Sequence, residues 1–419
     1  MQVSKNKLYA LSRRDFLGCL GVGCLAPSVL IGCGSGSGNS SAPSANSQLQ
    51  AGLSEAWQSR YSGKAGGLTL HMIAPNGEYF ASTLNGVGPN SYFRAASITK
   101  TFTAAGIMLL NQRGQLKLTD TLGTTIPKGG TAYLPGGFDI PYREQITISQ
   151  LLEHLAGVFD VTNQKIPVDL IPTVVNLSDK SLIKGPEKYL DVIIDILQET
   201  THSFSKDELI NVVAKTKLFN AVPGMTYNYS DTHYTILGKI IEVVTGLTLN
   251  EFLAKEFLIP NNLSEVKFIT DGAEQSLSFP FIEGHSLMGD VEAIVTNYNY
   301  SYDPGSGNLV TTTSNLVQWI RKLIKGQTRV DPTQIASMCK ITPPATDYGL
   351  GLIHKSGVGF DLGWGHNGGT GGYLTDAYHD PITDISYVLQ CSLIDFWDLA
   401  GQFKWMAQTA LNARKAIGY

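Results

Sequence analysis

The chain has 419 residues, 43% of them hydrophobic and 16% charged, which is long enough for one large folded unit or two medium domains with a sizeable core. Lysine and arginine number 31 against 35 aspartates and glutamates, a formal net charge of −4, and no long basic run occurs. That balance argues against nucleic acid as a partner, and the lack of a fixed-period repeat argues against solenoids and propellers.

The first fifty residues read as an address followed by a tether. Lys5 and Lys7 open a basic start, Ser12-Arg13-Arg14-Asp15-Phe16-Leu17 follows, and an apolar, glycine-rich run reaches Cys33. Basic, then apolar, then small residues is the layout of a secretory signal peptide. The paired arginines resemble a twin-arginine export signal, the alternative being a general secretory signal that contains Arg-Arg. Leu30-Ile31-Gly32-Cys33 resembles a bacterial lipobox, in which the chain is cut before the cysteine and its sulfur takes a diacylglycerol. Gly34 to Ser47 is almost entirely Gly, Ser, Asn, Ala and Pro, the composition of a flexible linker. The expectation is an export signal over 1–32, a lipid anchor on Cys33 holding the protein to a membrane of the cell envelope, a linker over 33–50 and a folded domain over 51–419. Cleavage nearby, leaving Cys33 without a role, is the alternative. No later segment is long and apolar enough to span a bilayer.

Along the body of the chain, Gly67 to Ile73 alternates apolar residues, Pro75-Asn76-Gly77 supplies a turn, and Glu78 to Leu84 resumes, which predicts a β-hairpin. The middle carries apolar residues at three- and four-residue spacing over Thr99–Arg113, Ile148–Ala156, Leu190–Gln198 and Tyr234–Leu253, predicting helices. Tyr348–His354, Tyr373–Tyr378 and Ile385–Leu393 read as strands, and Phe396 to Leu411 as a closing helix. Strands at both ends with helices between predict an α+β fold. Its sheet is assembled from N- and C-terminal segments and flanked by helices, with a mostly helical insertion over about 101–310. A cleft between the two lobes is where a small-molecule site would lie. Cys339 and Cys391 form either a disulfide or a pair of buried free thiols, and no cysteine has zinc-ligand spacing.

Three short patterns carry chemistry. Ser-x-x-Lys occurs six times, at Ser4, Ser97, Ser181, Ser203, Ser264 and Ser337, so context has to choose. Ser97-Ile98-Thr99-Lys100 follows the small residues Ala95 and Ala96 and opens a strong amphipathic helix. Free N–H groups at a helix start favour developing negative charge, and positions three apart share a face, so Lys100 can reach the Ser97 hydroxyl. The alternative is a serine N-cap with a solvated lysine. Tyr229-Ser230-Asp231 precedes a second amphipathic helix. Tyr229 can act as a base if Lys100 lowers its pKa, and Asp231 can accept from Lys100. Gly365-His366-Asn367-Gly368-Gly369-Thr370-Gly371-Gly372 then offers a glycine-rich strand edge, or a flexible hairpin, that lets a substrate approach closely.

Ser-x-x-Lys, Tyr-x-Asn and Lys/His-x-Gly in that order form the signature set of serine β-lactamases and penicillin-binding enzymes, and the chain resembles the class C β-lactamase and DD-carboxypeptidase branch of β-lactamase-related serine hydrolases. Ile146–Gly157, Gly305–Val310 and Tyr348–Leu352 also match that branch, and the resemblance runs from about Leu53 to the C-terminus. It implies the α/β sandwich of the β-lactamase and transpeptidase type. It further implies Ser97 as nucleophile, Lys100 and Tyr229 as proton handlers, the N–H groups of Ser97 and Gly369 as oxyanion hole, and His366 lining the cleft beside Gly368. No metal or organic cofactor is implied.

The pattern departs at Asp231, where the family has asparagine: a carboxylate accepts from Lys100 but cannot donate to a substrate amide. Asn367 and Gly369 stand where related DD-carboxypeptidases carry hydroxyl residues that bind a terminal carboxylate. Val158 to Phe219 has no motif and is expected to shape the cleft entrance. The expected function is hydrolysis of a small amide, peptide or ester through an acyl-enzyme, DD-carboxypeptidase-like or esterase-like. The alternatives are a β-lactamase or a catalytically inactive, lipid-anchored binding protein.

Overall fold

A computed structural model of the chain describes residues 44–127, 129–177 and 179–419. The expected export signal, the lipobox and Cys33 lie outside the described residues. The expected linker does not extend to residue 50: a helix, α1 (Ala45–Tyr61), starts inside it behind an Ser44 N-cap. Leu49, Leu53, Trp57 and Tyr61 recur every fourth residue and are all buried, so one stripe of this polar helix faces the core.

The framework strands are β1 (Leu68–Ala74), β2 (Gly77–Ser82), β3 (Tyr92–Ala96), β4 (Leu309–Thr312), β5 (Ile353–Gly357), β6 (Phe360–Thr370), β7 (Tyr373–Asp380) and β8 (Ile385–Cys391). A six-stranded antiparallel sheet has the order β5-β6-β7-β8-β1-β2, so the N-terminal hairpin pairs directly with the last long strand. This is the sheet expected from the two ends of the chain. The main helices after α1 are α2 (Thr99–Gln112), α3 (Asp231–Thr245), α4 (Thr313–Ile324) and α5 (Leu399–Ala416).

Side chains alternate across a strand, and the alternation divides the core in two. Leu68, Leu70 and Met72 of β1 join Leu374 and Tyr378 of β7 against α1 and α5. Ala377 and Val388, pointing the other way, join Leu316, Val317 and Ile320 of α4 and the apolar face of α2. Off the main sheet, β3 pairs with β4, with Phe93 opposite Thr311, and delivers the chain to α2.

The middle of the chain is less regular than its periodicity suggested. The helix at 148 stops at Leu152, and the expected helix at 190 is a single turn, Tyr189–Asp191, running into a π-helical turn over Val192–Ile196. α3 begins at Asp231 rather than near Tyr234 and ends at Gly246, whose φ of 72° lies in the left-handed region glycine favours. Thr248 then caps a separate helix, Leu249–Leu253. The expected strand at 348 is confined to Ile353–Gly357; before it, Gly351 runs against α2, where a Cβ would stand 2.3 Å from that of Ala104. Cys339 and Cys391 are free thiols.

Candidate active site

Ser97 occupies the turn between β3 and α2. Ala96 before it has φ 50°, a left-handed conformation that a residue with a Cβ adopts only when its surroundings impose it. The Tyr300 hydroxyl accepts the Ala96 N–H at 2.9 Å, and the Thr99 hydroxyl donates to the Ala96 carbonyl at 2.7 Å, so both sides of the strained residue are pinned. The helix N-cap falls on Ile98, without a side-chain cap, which leaves the half-buried Ser97 hydroxyl free for other partners.

Lys100 is fully buried, unlike the solvated lysine of the capping alternative. Its Nζ donates to Ser97 Oγ at 3.1 Å, to Asp231 Oδ1 at 2.5 Å and to the Ser306 carbonyl at 2.9 Å. Three acceptors saturate the three donors of an ammonium. Asp231 opens α3, and its second oxygen accepts from Asn163 Nδ2 at 2.7 Å.

Tyr229 also meets this group. Its phenol feels the Ser97 side chain, and Lys100 Nζ lies 4.8 Å from its ring centroid. The expectation that Lys100 lowers the phenol's pKa is corrected: burial, and then the negative charge of Asp231, hold it well above its ordinary value. At neutral pH Tyr229 is therefore a phenol, able both to accept and to donate.

From the sheet, β6 brings its glycines against Ser97. A Cβ on Gly368 would lie 2.1 Å from the Ala95 carbonyl and 3.2 Å from the Ser97 nitrogen, so only glycine permits this approach. Gly369 and Ser97 both line the same pocket, which encloses about 710 Å³ of space open to solvent. His366 does not line the cleft as expected. It is fully buried, its Nε2 3.0 Å from the Tyr348 hydroxyl and its Nδ1 2.5 Å from the Asn367 carbonyl. Burial, with Lys100 adding to it, pushes its pKa down to about 3, so it is a neutral group behind Tyr348.

Two acidic residues that the sequence reading passed over complete the site. Asp160 holds Asn163 through both the main chain and the side chain, at 3.2 and 3.0 Å, and burial beside Asp231 pushes it up to about 7. Asp303 lines the pocket with Thr162, whose hydroxyl donates to it at 2.8 Å; burial and Asp231 raise it well above the usual carboxylate range. Asp160, Thr162 and Asn163 come from the stretch expected to shape the entrance, and Lys188 and Leu190 of that stretch also line the pocket. The one available signal was position: Asp303-Pro304 directly precedes the matching Gly305–Val310 stretch.

A serine at a strand-to-helix turn, a buried lysine three residues on and a tyrosine from a second helix start are thus gathered at one pocket, the arrangement of a serine hydrolase fold. The family model described as beta-lactamase matches residues 53–393, and the chain belongs to that family. Penicillin-binding protein 4* of Bacillus subtilis (strain 168) is 24% identical over 298 residues, covering 68% of this chain and 57% of that protein. Protein flp of Staphylococcus aureus (strain NCTC 8325 / PS 47) is 24% identical over 262 residues, 60% of this chain and 44% of flp, so the chain spans about half the length of these curated relatives. Among solved structures, D-amino acid amidase from Ochrobactrum anthropi SV3, complexed with D-phenylalanine, superposes with a TM-score of 0.69 at 18% identity, over 90% of this chain and 99% of that one. A D-stereospecific amidohydrolase from Streptomyces sp. gives 0.67 at 21% identity, over 86% and 97%. These likenesses establish the fold.

Proposed function

We propose that the protein hydrolyses small amino-acid-derived amides or esters through an acyl-enzyme on Ser97. The observation that carries this reading is the buried Lys100 ammonium held between Ser97 Oγ and Asp231 Oδ1, at 3.1 and 2.5 Å, at the edge of an open pocket. Ser97 Oγ bonds to the substrate carbonyl carbon while the N–H groups of Ser97 and Gly369 hold the oxyanion. Over acylation the serine proton is replaced by the acyl group and one proton reaches the leaving nitrogen or oxygen. Lys100 and Tyr229 are the stations for that transfer, and Asp231 can take a proton from Lys100, which an asparagine in its place could not. Water then attacks the ester, releasing the acid and restoring the Ser97 hydroxyl.

The pocket wall favours an amide with a free amino group over a substrate that presents a carboxylate. Asp231 supplies the carboxylate of the wall, Asp303 is held protonated by burial and can hydrogen-bond to an amine without adding charge, and Lys188 is the basic residue. The absence of hydroxyl side chains at Asn367 and Gly369 points the same way, and the D-amino acid amidase and amidohydrolase folds are consistent with it.

Export and attachment to the cell envelope through Cys33 remain part of this reading, carried by the sequence alone. The test of the chemistry is steady-state turnover of D-phenylalanine amide, its N-acetyl derivative and benzylpenicillin by the 44–419 chain, with Ser97→Ala as control. Turnover of the free amide that needs Ser97 and exceeds that of the other two supports the reading. Preferential cleavage of benzylpenicillin would replace it with a β-lactamase.

A further inference from the structure

The matching stretch Ile146–Gly157 has no place in the chemistry above, yet His154 within it touches the site at three points. Its backbone is left-handed, with φ 58°, directly after the short helix that ends at Leu152. Its carbonyl accepts the Asn228 N–H at 2.9 Å, and its Nδ1 accepts the Ser230 N–H at 3.2 Å. These two bonds straddle Tyr229. Between them the imidazole lies against the phenol ring, with centroids 4.1 Å apart and planes tilted by 34°.

The protonation of this clamp follows from its partners. A backbone N–H only donates, so the Val158 N–H, 3.1 Å from His233 Nε2, requires that nitrogen to be unprotonated. The His233 proton therefore sits on Nδ1 and donates to His154 Nδ1 at 3.0 Å. His154 Nδ1 accepts both this proton and the Ser230 N–H, which places the His154 proton on Nε2, a buried atom with no hydrogen-bond partner of its own. Burial disfavours a charge on either ring, and the nearby Lys100 adds to that effect. A protonated His154 would aim a third donor at two others. The pair is thus locked as two neutral rings with one hydrogen-bond direction.

We infer that His154, with its tautomer set by His233, is a positioning residue for Tyr229: it fixes the backbone on both sides of the phenol and the plane of its ring, so that the phenol stays beside Ser97 and Lys100. This rests on the acyl-enzyme reading and extends it to a residue that touches neither substrate nor nucleophile. An asparagine fits the same role, because it tolerates the left-handed backbone and offers Oδ1 as acceptor to Ser230; alanine offers no acceptor.

The experiment measures the second-order rate of Ser97 labelling by a fluorophosphonate, with kcat and KM on a short-chain ester. Wild type, His154→Ala, His154→Asn, Tyr229→Phe and His154→Ala/Tyr229→Phe are compared, each shown to be folded by circular dichroism. Loss of a positioned proton handler predicts that His154→Ala slows labelling and kcat by about 10²-fold with KM changed less than about 2-fold. His154→Asn is expected to recover to within about 10-fold of wild type, and His154→Ala to cost less than about 2-fold in the Tyr229→Phe background, because the coupled partner is already gone. Labelling of His154→Ala at the wild-type rate, or an equal loss in both backgrounds, would overturn the inference while leaving the hydrolase reading intact. A folded wild type that is neither labelled nor active would overturn both.

Discussion

The layer under α1 and α5 and the group around Lys100 are both buried, and they are built from opposite materials. Beneath the two terminal helices the sheet is covered largely by Leu, Met, Trp and Tyr side chains, among them Leu53, Trp57, Leu70, Leu389 and Met406. Around Lys100, the ionisable residues Asp160, Asp231, His154, His233 and His366 are all buried. Apolar burial stabilises at about 25 cal/mol per Å² and needs only a close fit. Buried ionisable groups cost free energy unless every donor and acceptor is matched, so they persist where their protons are used. The contrast assigns stability to the first region and reactivity to the second, and each can be perturbed without the other.

The largest perturbation is steric. Gly368→Ala would place a methyl group 2.1 Å from the Ala95 carbonyl and force β6 away from Ser97. A shift of roughly 1 Å between oxyanion donors and nucleophile is expected to cost about 10²-fold in fluorophosphonate labelling of the folded protein. Labelling at the wild-type rate would mean that the close approach of β6 is dispensable.

A second perturbation reads the protons. Asp160 is an acid held up at about 7 from an ordinary 3.8, so the stability tied to its protonation is full below about 3.8 and is lost as pH rises through about 7. His233 and His366, held down to about 3 from 6.5, contribute the opposite way: their stability is present above about 6.5 and lost as pH falls towards about 3. In Asp160→Asn the opposing slope is removed, so unfolding free energy should climb more steeply between pH 4 and 6.5 than in wild type, as measured by urea denaturation. Parallel profiles would show that Asp160 titrates at an ordinary value.

The smallest expected effect on reactivity comes from the apolar layer. Trp57, buried against Tyr61 and Trp405 at ring-centroid distances of 5.2 and 6.4 Å, should lose about 3–5 kcal/mol of stability on replacement by alanine. Labelling of Ser97 in the folded fraction should stay within about 2-fold of wild type. A matching drop in labelling would show that the two regions are coupled.

The same contrast explains which features are legible in the amino-acid sequence. Ser97 and Lys100 are legible because one helix start fixes their spacing and its small-residue context picks them out, Tyr229 because its motif follows in order before a second helix, and the two-ended sheet because the β-rich segments lie at both ends of the chain. Asp160, Asn163 and Asp303 reach Asp231 only through the path of the chain between motifs, which carries no period. The burial of His366 is not legible in its motif because Tyr348, which covers it, arrives through the close contact of Gly351 with α2, a tertiary event. The onset of α1 at Ala45 was hidden by polar composition, although Leu49, Leu53 and Trp57 already held the helical spacing.

The most direct test of the central claim is a rapid-mixing experiment with p-nitrophenyl acetate, quenched and read by intact mass. A burst of one p-nitrophenol per chain and one acetyl group on Ser97 is expected, both absent in Ser97→Ala. Hydrolysis without a burst or adduct, or an adduct that survives Ser97→Ala, would contradict the claim.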